Sequence, residues 1–510
     1  MRADDFRSRP FINHPEYDKS CLSIGVQPEY ATGDVLLASC YRVLQLAAIS
    51  ESEVDLEDVN HLPEELDTPQ APGALWEYIF HNGLRSPVRL GERMARPLPQ
   101  LIPLVPALGH FSGVLGRPRS RWNPGRLAIY ALASGAGPTA FTEAVRALAE
   151  SLDVVEEQDD ELAVFIERRL SALPKVKKNP VDDQWNAPEI VEWSRVPYRA
   201  QQEEPWSPAE VFARDLREVL GLKGSLTRRQ WCALMESVLR LGLPTHVLWV
   251  CRTTGLVWRH VLDVLGGSSP PTAHELESEL WNAHLGRGAF LDGGQSADPY
   301  LRRQVEAYTI ARLGFNLLLS MLGDHGTPWQ WPQAVAGSTG RPAAEQLSFF
   351  LEALVPLRNQ LGRDPKRRVL AQLGRVLDEQ ASRVSGSSGP PKNLYEFLSY
   401  TLRRRLSLEP AFREHDQGYL LEKTGPRSAP WVVRPGPVLL MAMCFATCRS
   451  IRGAPATLQD LAVRFSSYGV RLSAGDLQES VVASDLEALG ILVDSPDAGG
   501  GRLVLNPFRG

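Results

Sequence analysis

From about residue 125 onward, apolar side chains recur three and four residues apart over one stretch after another, and strand-like alternation is scarce. The chain is therefore predicted to be mainly α. Ser207, Pro208 and Glu210 supply an N-cap, a proline suited to the first helical position and an acid for the positive helix end, and Gly221 follows the last apolar turn. Thr227 with Gln230 opens a second helix, predicted to stop at Gly242. Thr272 with Glu275 opens another, predicted to stop at Gly286. Residues 34–48 and 74–81 also read as helical, whereas frequent proline and glycine over residues 85–124 predict an irregular N-terminal region.

The sharpest local pattern lies near the C-terminus. Residues 438–448 form an apolar run between Arg434 and Arg449, predicted as a first helix. Thr457 with Asp460, and Ser473 with Asp476, each offer a side-chain oxygen to orphan helix amides and a carboxylate to the helix dipole, so two more helices should start there. Leu458, Leu461, Ala462 and Phe465 recur at helical spacing in one, and Leu477, Val481, Leu486 and Leu489 in the other, which closes at Gly490. Ile491, Leu492 and Val493 then predict a short strand, residues 497–501 a turn, and Leu503, Val504 and Leu505 the returning strand.

Three helices followed by a two-stranded hairpin resemble the winged-helix superfamily, over roughly the last 70 of the 510 residues. That resemblance implies a third helix able to enter a DNA groove, which needs Arg, Lys, Asn or Gln at its exposed positions. Here the helix offers Asp476, Glu479, Asp485 and Glu487, with no Lys or Arg over residues 476–490. Phosphates would repel it. These four carboxylates are predicted to meet protein instead.

A chain of 510 residues exceeds one ordinary core, so several domains are expected. Breaks in the pattern at residues 174–206, 266–272 and 384–393, the last reading as a flexible SGSSGPP linker, suggest units over 1–125, 126–205, 206–385 and 394–510. The net charge of −5 conceals strong segregation. Arginines outnumber lysines 47 to 8, and residues 85–126 carry eight arginines against Glu92. Arg117, Arg119, Arg121 and Arg126 with Trp122, and a second block of Lys366, Arg367, Arg368, Arg403, Arg404 and Arg405, are the candidate nucleic-acid contacts, because an aromatic beside arginines can stack on a base while the cations neutralise phosphate. The opposing expectation is that these blocks face the acidic stretches at 51–67 and 150–161 within the fold.

No catalytic signature stands out. A P-loop lysine motif and HExxH are both missing, and Cys232, His246, Cys251 and His260 lack the helical phase for one metal, so no metal or cofactor is expected. Asp324 with His325, and His415 with Asp416, are adjacent acid–base pairs that ordinary loop chemistry also produces. Met1 is followed by Arg2, Asp4, Asp5 and Arg7 rather than an apolar leader, the longest apolar run falls short of the ~20 residues that span a bilayer, and the six cysteines form no disulfide framework. A cytoplasmic protein without membrane contact is expected. In overall look the chain resembles accessory proteins encoded beside bacterial DNA-processing or anti-phage defence machinery. The reading is a non-catalytic helical adaptor that joins protein subunits on or near nucleic acid; a transcription regulator and an enzyme of unfamiliar fold are the alternatives.

Overall fold

The described part of the chain comprises residues 14, 35–44, 46–49, 103–107, 124–171, 176–178, 208–281, 291–293, 295–324, 343–379, 381, 389–404, 416, 418–423, 425, 428–451, 455–472, 481–494 and 502–508 of a computed structural model. It is mainly α. In chain order the elements are α1 (Val35–Val43), β1 (Ala47–Ile49), α2 (Pro124–Leu152), α3 (Glu161–Ser171), β2 (Val176–Lys178), α4 (Pro208–Leu220), α5 (Arg228–Leu265) and α6 (Ala273–Trp281). They continue with β3 (Leu291–Asp292), α7 (Ala297–Asp324), α8 (Ala343–Arg358), α9 (Pro365–Glu379), α10 (Gly389–Leu402), β4 (Leu421–Lys423) and β5 (Trp431–Val433). The chain then forms α11 (Pro437–Ser450), β6 (Ala456–Thr457), α12 (Leu458–Ser467), β7 (Val470–Arg471), α13 (Val481–Ala488), β8 (Leu492–Asp494) and β9 (Arg502–Val504).

The 38-residue helix α5 organises the rest. It starts as predicted, with Thr227 Oγ1 accepting from Gln230 N while the Gln230 side chain accepts from Thr227 N. It does not stop at Gly242. A Cβ there would lie 2.2 Å from the Phe212 ring, so the missing side chain lets α4 approach rather than ending the helix. Pro244 lies inside the helix, and Thr245 Oγ1 donates to Leu241 O at 2.7 Å and Gly242 O at 3.1 Å beside it. Burial on nearly all sides outweighs both local breakers, since α5 packs against α1, α2, α4, α7, α8, α9, α10 and α11. Gly314 of α7 plays the same part as Gly242, with the Trp258 ring where its Cβ would be.

Charged side chains on α5 terminate its neighbours. Arg228, 2% exposed, donates to Ser151 O at 3.3 Å, to Asp153 O at 3.1 Å and to Leu152 O, the orphan carbonyls at the end of α2. Its Nε reaches Leu104 O at 2.8 Å, and Nη1 lies 3.0 Å from Asp159 Oδ1. Glu236 accepts from Leu37 N at 3.1 Å in the first turn of α1, and pairs with Arg240 at 3.0 Å. Asp160 accepts both from Ala163 N, capping α3, and from Arg228 N. Part of the acidic stretch over 150–161 is thus internal framework, facing a buried arginine.

Short strands connect distant parts of the chain. β1 pairs antiparallel with β2, so Ala47 and Ala48, at the end of the predicted helix, are strand. β3 pairs parallel with β7, β4 with β5 antiparallel, and β6, β9 and β8 form a three-stranded sheet in that order. Gly389, Pro390 and Pro391 open α10 rather than belonging to a linker. The predicted helix over 74–81 lies outside the described residues. One apolar cluster extends from Leu36 through α5 to Val504. Among the described residues no helix is long and apolar enough to cross a membrane.

His246 is buried on α5 with its ring stacked on Trp249 at 5.9 Å, and burial pushes its pKa down to about 4. A histidine depressed from 6.5 contributes stability that is full above pH 6.5 and is lost as pH falls towards 4, because the unfolded chain binds the proton first. His246→Phe is therefore expected to shrink the fall in urea midpoint over that window. An unchanged fall would contradict a neutral buried imidazole.

Candidate functional site

The C-terminal unit begins with α11, whose apolar run is capped from a distance. Gly436 has no side chain to cap with, Pro437 occupies the first turn, and Asp416 accepts from Val438 N at 2.6 Å and Gly418 N at 2.8 Å. The carboxylate that the sequence sets beside His415 thus holds a helix end. His415 itself lies outside the described residues. Asp416→Ala is expected to cost about 1–2 kcal/mol in chemical denaturation, and an unaltered midpoint would contradict this capping role.

Thr457 and Asp460 form the predicted capping box of α12: Thr457 Oγ1 accepts from Asp460 N, and Asp460 Oδ2 accepts from Thr457 N at 2.8 Å. α13 follows, its described part buried through Val482, Ala483 and Leu486, and Gly490 turns out of it at φ 69°. Residues 473–480, with the predicted cap Ser473 and the carboxylates Asp476 and Glu479, lie outside the described residues. In the hairpin, Leu492 faces Val504 and Val493 faces Leu503, while β6 adds a strand beside β9 that the sequence reading did not include.

This unit is locked to α4 by a buried network. Asp215, fully buried, accepts from Tyr468 Oη at 2.8 Å, and Arg464 Nη1 lies 3.1 Å from its other oxygen as an ion-pair contact without hydrogen-bond geometry. Arg464 also donates to Ala446 O at 2.7 Å, joining α12 to α11. Burial raises the Asp215 carboxyl to about 6, against the opposing pull of Arg464 and Tyr468. Arg449 pairs with Glu218 at 2.9 Å, and β7 pairs with β3, so the unit is held along two further edges.

On the outward side, Glu487 is exposed and Asp485 half-buried. The cations beside them are engaged: Arg502 bonds Glu487 and, at 2.7 Å, Asp494, while Arg434 lies 3.7 Å from Asp485 and 2.6 Å from Glu422. Exposed large apolar side chains concentrate in the same unit. Val463, Leu489, Val493 and Leu505 are four of the seven among the described residues.

The predicted nucleic-acid contacts separate into two groups. Lys366 sits 3.3 Å from Asp263, Arg368 donates to Leu361 O at 3.1 Å, and Arg404 bonds Glu422. Arg403 bonds Asp298, donates to Tyr395 Oη at 3.0 Å and stacks 4.8 Å over Trp431. Arg302 covers Tyr395 at 4.1 Å and Lys423 approaches Trp431 at 5.4 Å, so both rings have cations against them rather than lying bare for a base. Arg126 and Arg367 are exposed. A shallow depression of about 380 Å³ lies beside Arg363, Arg367 and Arg368, but Asp364 already accepts from Arg367 N at the start of α9. Arg117, Arg119, Arg121, Trp122 and Arg405 lie outside the described residues.

No protein-family model and no curated protein matches the chain. The geometry alone therefore carries the functional reading. The structure does not assemble Cys232, His246, Cys251 and His260: Cys232 Sγ lies 3.7 Å from Leu104 O, whereas His260 pairs with Glu279 at 2.7 Å. Among the described residues no cluster of His, Cys, Asp and Glu could hold a metal. Asp324 ends α7, and His325 lies outside the described residues. Two groups escaped the sequence reading. Asp215 was visible as a carboxylate within the apolar stripe Val211, Phe212, Leu216 and Val219, and the outward Val493 and Leu505 as apolar residues on the solvent parity of a strand whose other parity is also apolar.

Proposed function

We propose that this chain is a non-catalytic helical adaptor of a bacterial protein assembly working on or near nucleic acid, with a C-terminal winged helix that contacts protein. The order helix, strand, helix, strand, helix and hairpin, with β9 between β6 and β8, supports the winged-helix reading. One observation carries the choice of partner: the third helix turns Asp485 and Glu487 outward, and Arg434 and Arg502 beside them are already bound to carboxylates. Docking on phosphate would require Arg434 and Arg502 to leave those pairs, stranding the carboxylates against like charge. The nucleic-acid side of the proposal rests on the Arg-rich sequence at 117–122 and on Arg126, exposed in the first turn of α2.

Affinity purification of the full chain from its host tests the proposal. A protein in constant ratio should accompany the wild type and be lost with the pair Asp485→Asn and Glu487→Gln. Recovery of nucleic acid as the sole companion, or of the same protein with both forms, would contradict it.

A further inference from the structure

We infer that the exposed face of α9 holds the phosphodiester backbone of a nucleic-acid duplex, through Arg363, Arg367 and Arg375. The inference rests on the nucleic-acid side of the reading above and gives it a second contact of stated chemistry. Val369, Leu373 and Val376 bury one side of α9, while Arg367, Ala371 and Arg375 recur four residues apart on the opposite, exposed side. By the helical rise, Arg367 and Arg375 stand about 12 Å apart along the axis. Arg363 precedes the helix and lines the shallow depression together with Arg367 and Arg368. Lys366 is held by Asp263 and Arg368 by Leu361 O, whereas no hydrogen bond or ion pair engages the side chains of Arg363, Arg367 or Arg375 among the described residues. Over residues 361–377 the cations Arg363, Lys366, Arg367, Arg368 and Arg375 face Asp364 alone, before Asp378 and Glu379 close the helix. Asp364 accepts from Arg367 N, so the amide end of α9 is already capped and an anion meets the guanidinium groups instead.

The chemistry of this face selects the occupant. A lipid surface takes up an apolar face, and that of α9 is turned into the core, leaving Leu370 at 40% as its exposed large apolar side chain. A protein interface needs apolar anchors at its centre, which the row of arginines does not supply. A small anion would satisfy one guanidinium group or two, whereas charges repeating along a backbone reach cations spread over a helix. Residues 361–379 contain no aromatic side chain on which an unstacked base could lie, which favours a duplex over a single strand. The acidic third helix stands elsewhere. Lys366 ties α9 to Asp263 near the end of α5, whereas Gly418, in the segment that leads to α11, packs on Ser237 near its start. Those two points are roughly 40 Å apart along α5.

The test is fluorescence anisotropy of the full chain with a labelled DNA duplex of arbitrary sequence, from about 50 to 200 mM salt. The wild type should bind with an affinity that falls steeply as salt rises. Arg363→Gln, Arg367→Gln and Arg375→Gln together should weaken binding on the order of tenfold or more at the lowest salt. They should also make the dependence of log affinity on log salt shallower by roughly three, about one for each phosphate released. Arg363→Lys, Arg367→Lys and Arg375→Lys should preserve most of that slope, since the charge stays. All three positions are exposed, and an unchanged melting temperature will establish that each variant is folded. Duplex binding that the three glutamines leave unaltered would overturn the inference while leaving Arg126 and the arginines over 117–121 as the nucleic-acid contact. Failure of the wild type to bind the duplex would overturn it together with the nucleic-acid side of the proposed function. Tighter binding of a single strand of the same length, or displacement of the duplex by polyglutamate of equal charge, would refute the choice of occupant.

Discussion

Arg228→Met is expected to lower the free energy of unfolding by roughly 3–5 kcal/mol, the usual cost of removing one partner of a buried ion pair. The guanidinium, at 2% exposure, meets Asp159 and four backbone carbonyls drawn from residues 104 and 151–153. Methionine fills much of the volume and supplies no donor. The Ser151 and Leu152 carbonyls would then lose this donor inside the fold, while Asp153 O would keep Lys223 at 2.7 Å and Asp159 would keep Lys223, 3.4 Å away, and Val155 N at 2.9 Å. Arg228→Lys should recover a minority of the loss, because an ammonium cannot reach divergent acceptors as a planar fork does. Urea denaturation checks both variants; a change below about 1 kcal/mol for methionine would contradict the hub assignment.

Arg464→Met should have an effect of similar size, with a pH signature of its own. Without the arginine, Asp215 faces burial with the Tyr468 hydroxyl and the Arg214 charge left to stabilise its carboxylate. The sign follows from the raised carboxyl: stability linked to Asp215 is full below its ordinary 3.8 and is lost as pH rises through about 6. Removing Arg464 moves that loss to higher pH and enlarges it. The penalty of the variant should therefore be small near pH 5 and large near pH 8, of order 3–5 kcal/mol. Limited proteolysis at the higher pH should release the C-terminal unit first. A penalty independent of pH would show that Asp215 is not the group left stranded.

Much of the helical framework was legible because its signals are local. Thr227 with Gln230, Thr457 with Asp460, Pro208 and Gly490 each act within one helical turn, and each stands where the sequence put it. Gly242 misled because a local breaker signals an end only if nothing packs there, and Phe212 fills the space above it. The strands at 421–423, 431–433 and 456–457 are two or three residues long, too short to display a period of two. Charge was the hardest quantity to read. Arg228 finds Asp159 across 69 residues and Tyr468 finds Asp215 across 253, distances over which a one-dimensional count of charge says nothing about pairing. Lys366, Arg368, Arg403 and Arg404 look like phosphate ligands as a run of letters. In the fold they bond Asp263, Leu361, Asp298 and Glu422.

The choice between protein and DNA at the acidic third helix can be decided by chemistry performed at its surface. Ser484 is exposed on α13, one residue from Asp485, and accepts a photo-crosslinking side chain without entering the core. Irradiation of the full chain in host extract containing a labelled DNA duplex should give adducts with protein and none with the duplex at any salt concentration. A duplex adduct that fades as salt rises would mean that this face meets phosphate, and that its carboxylates do not keep DNA away.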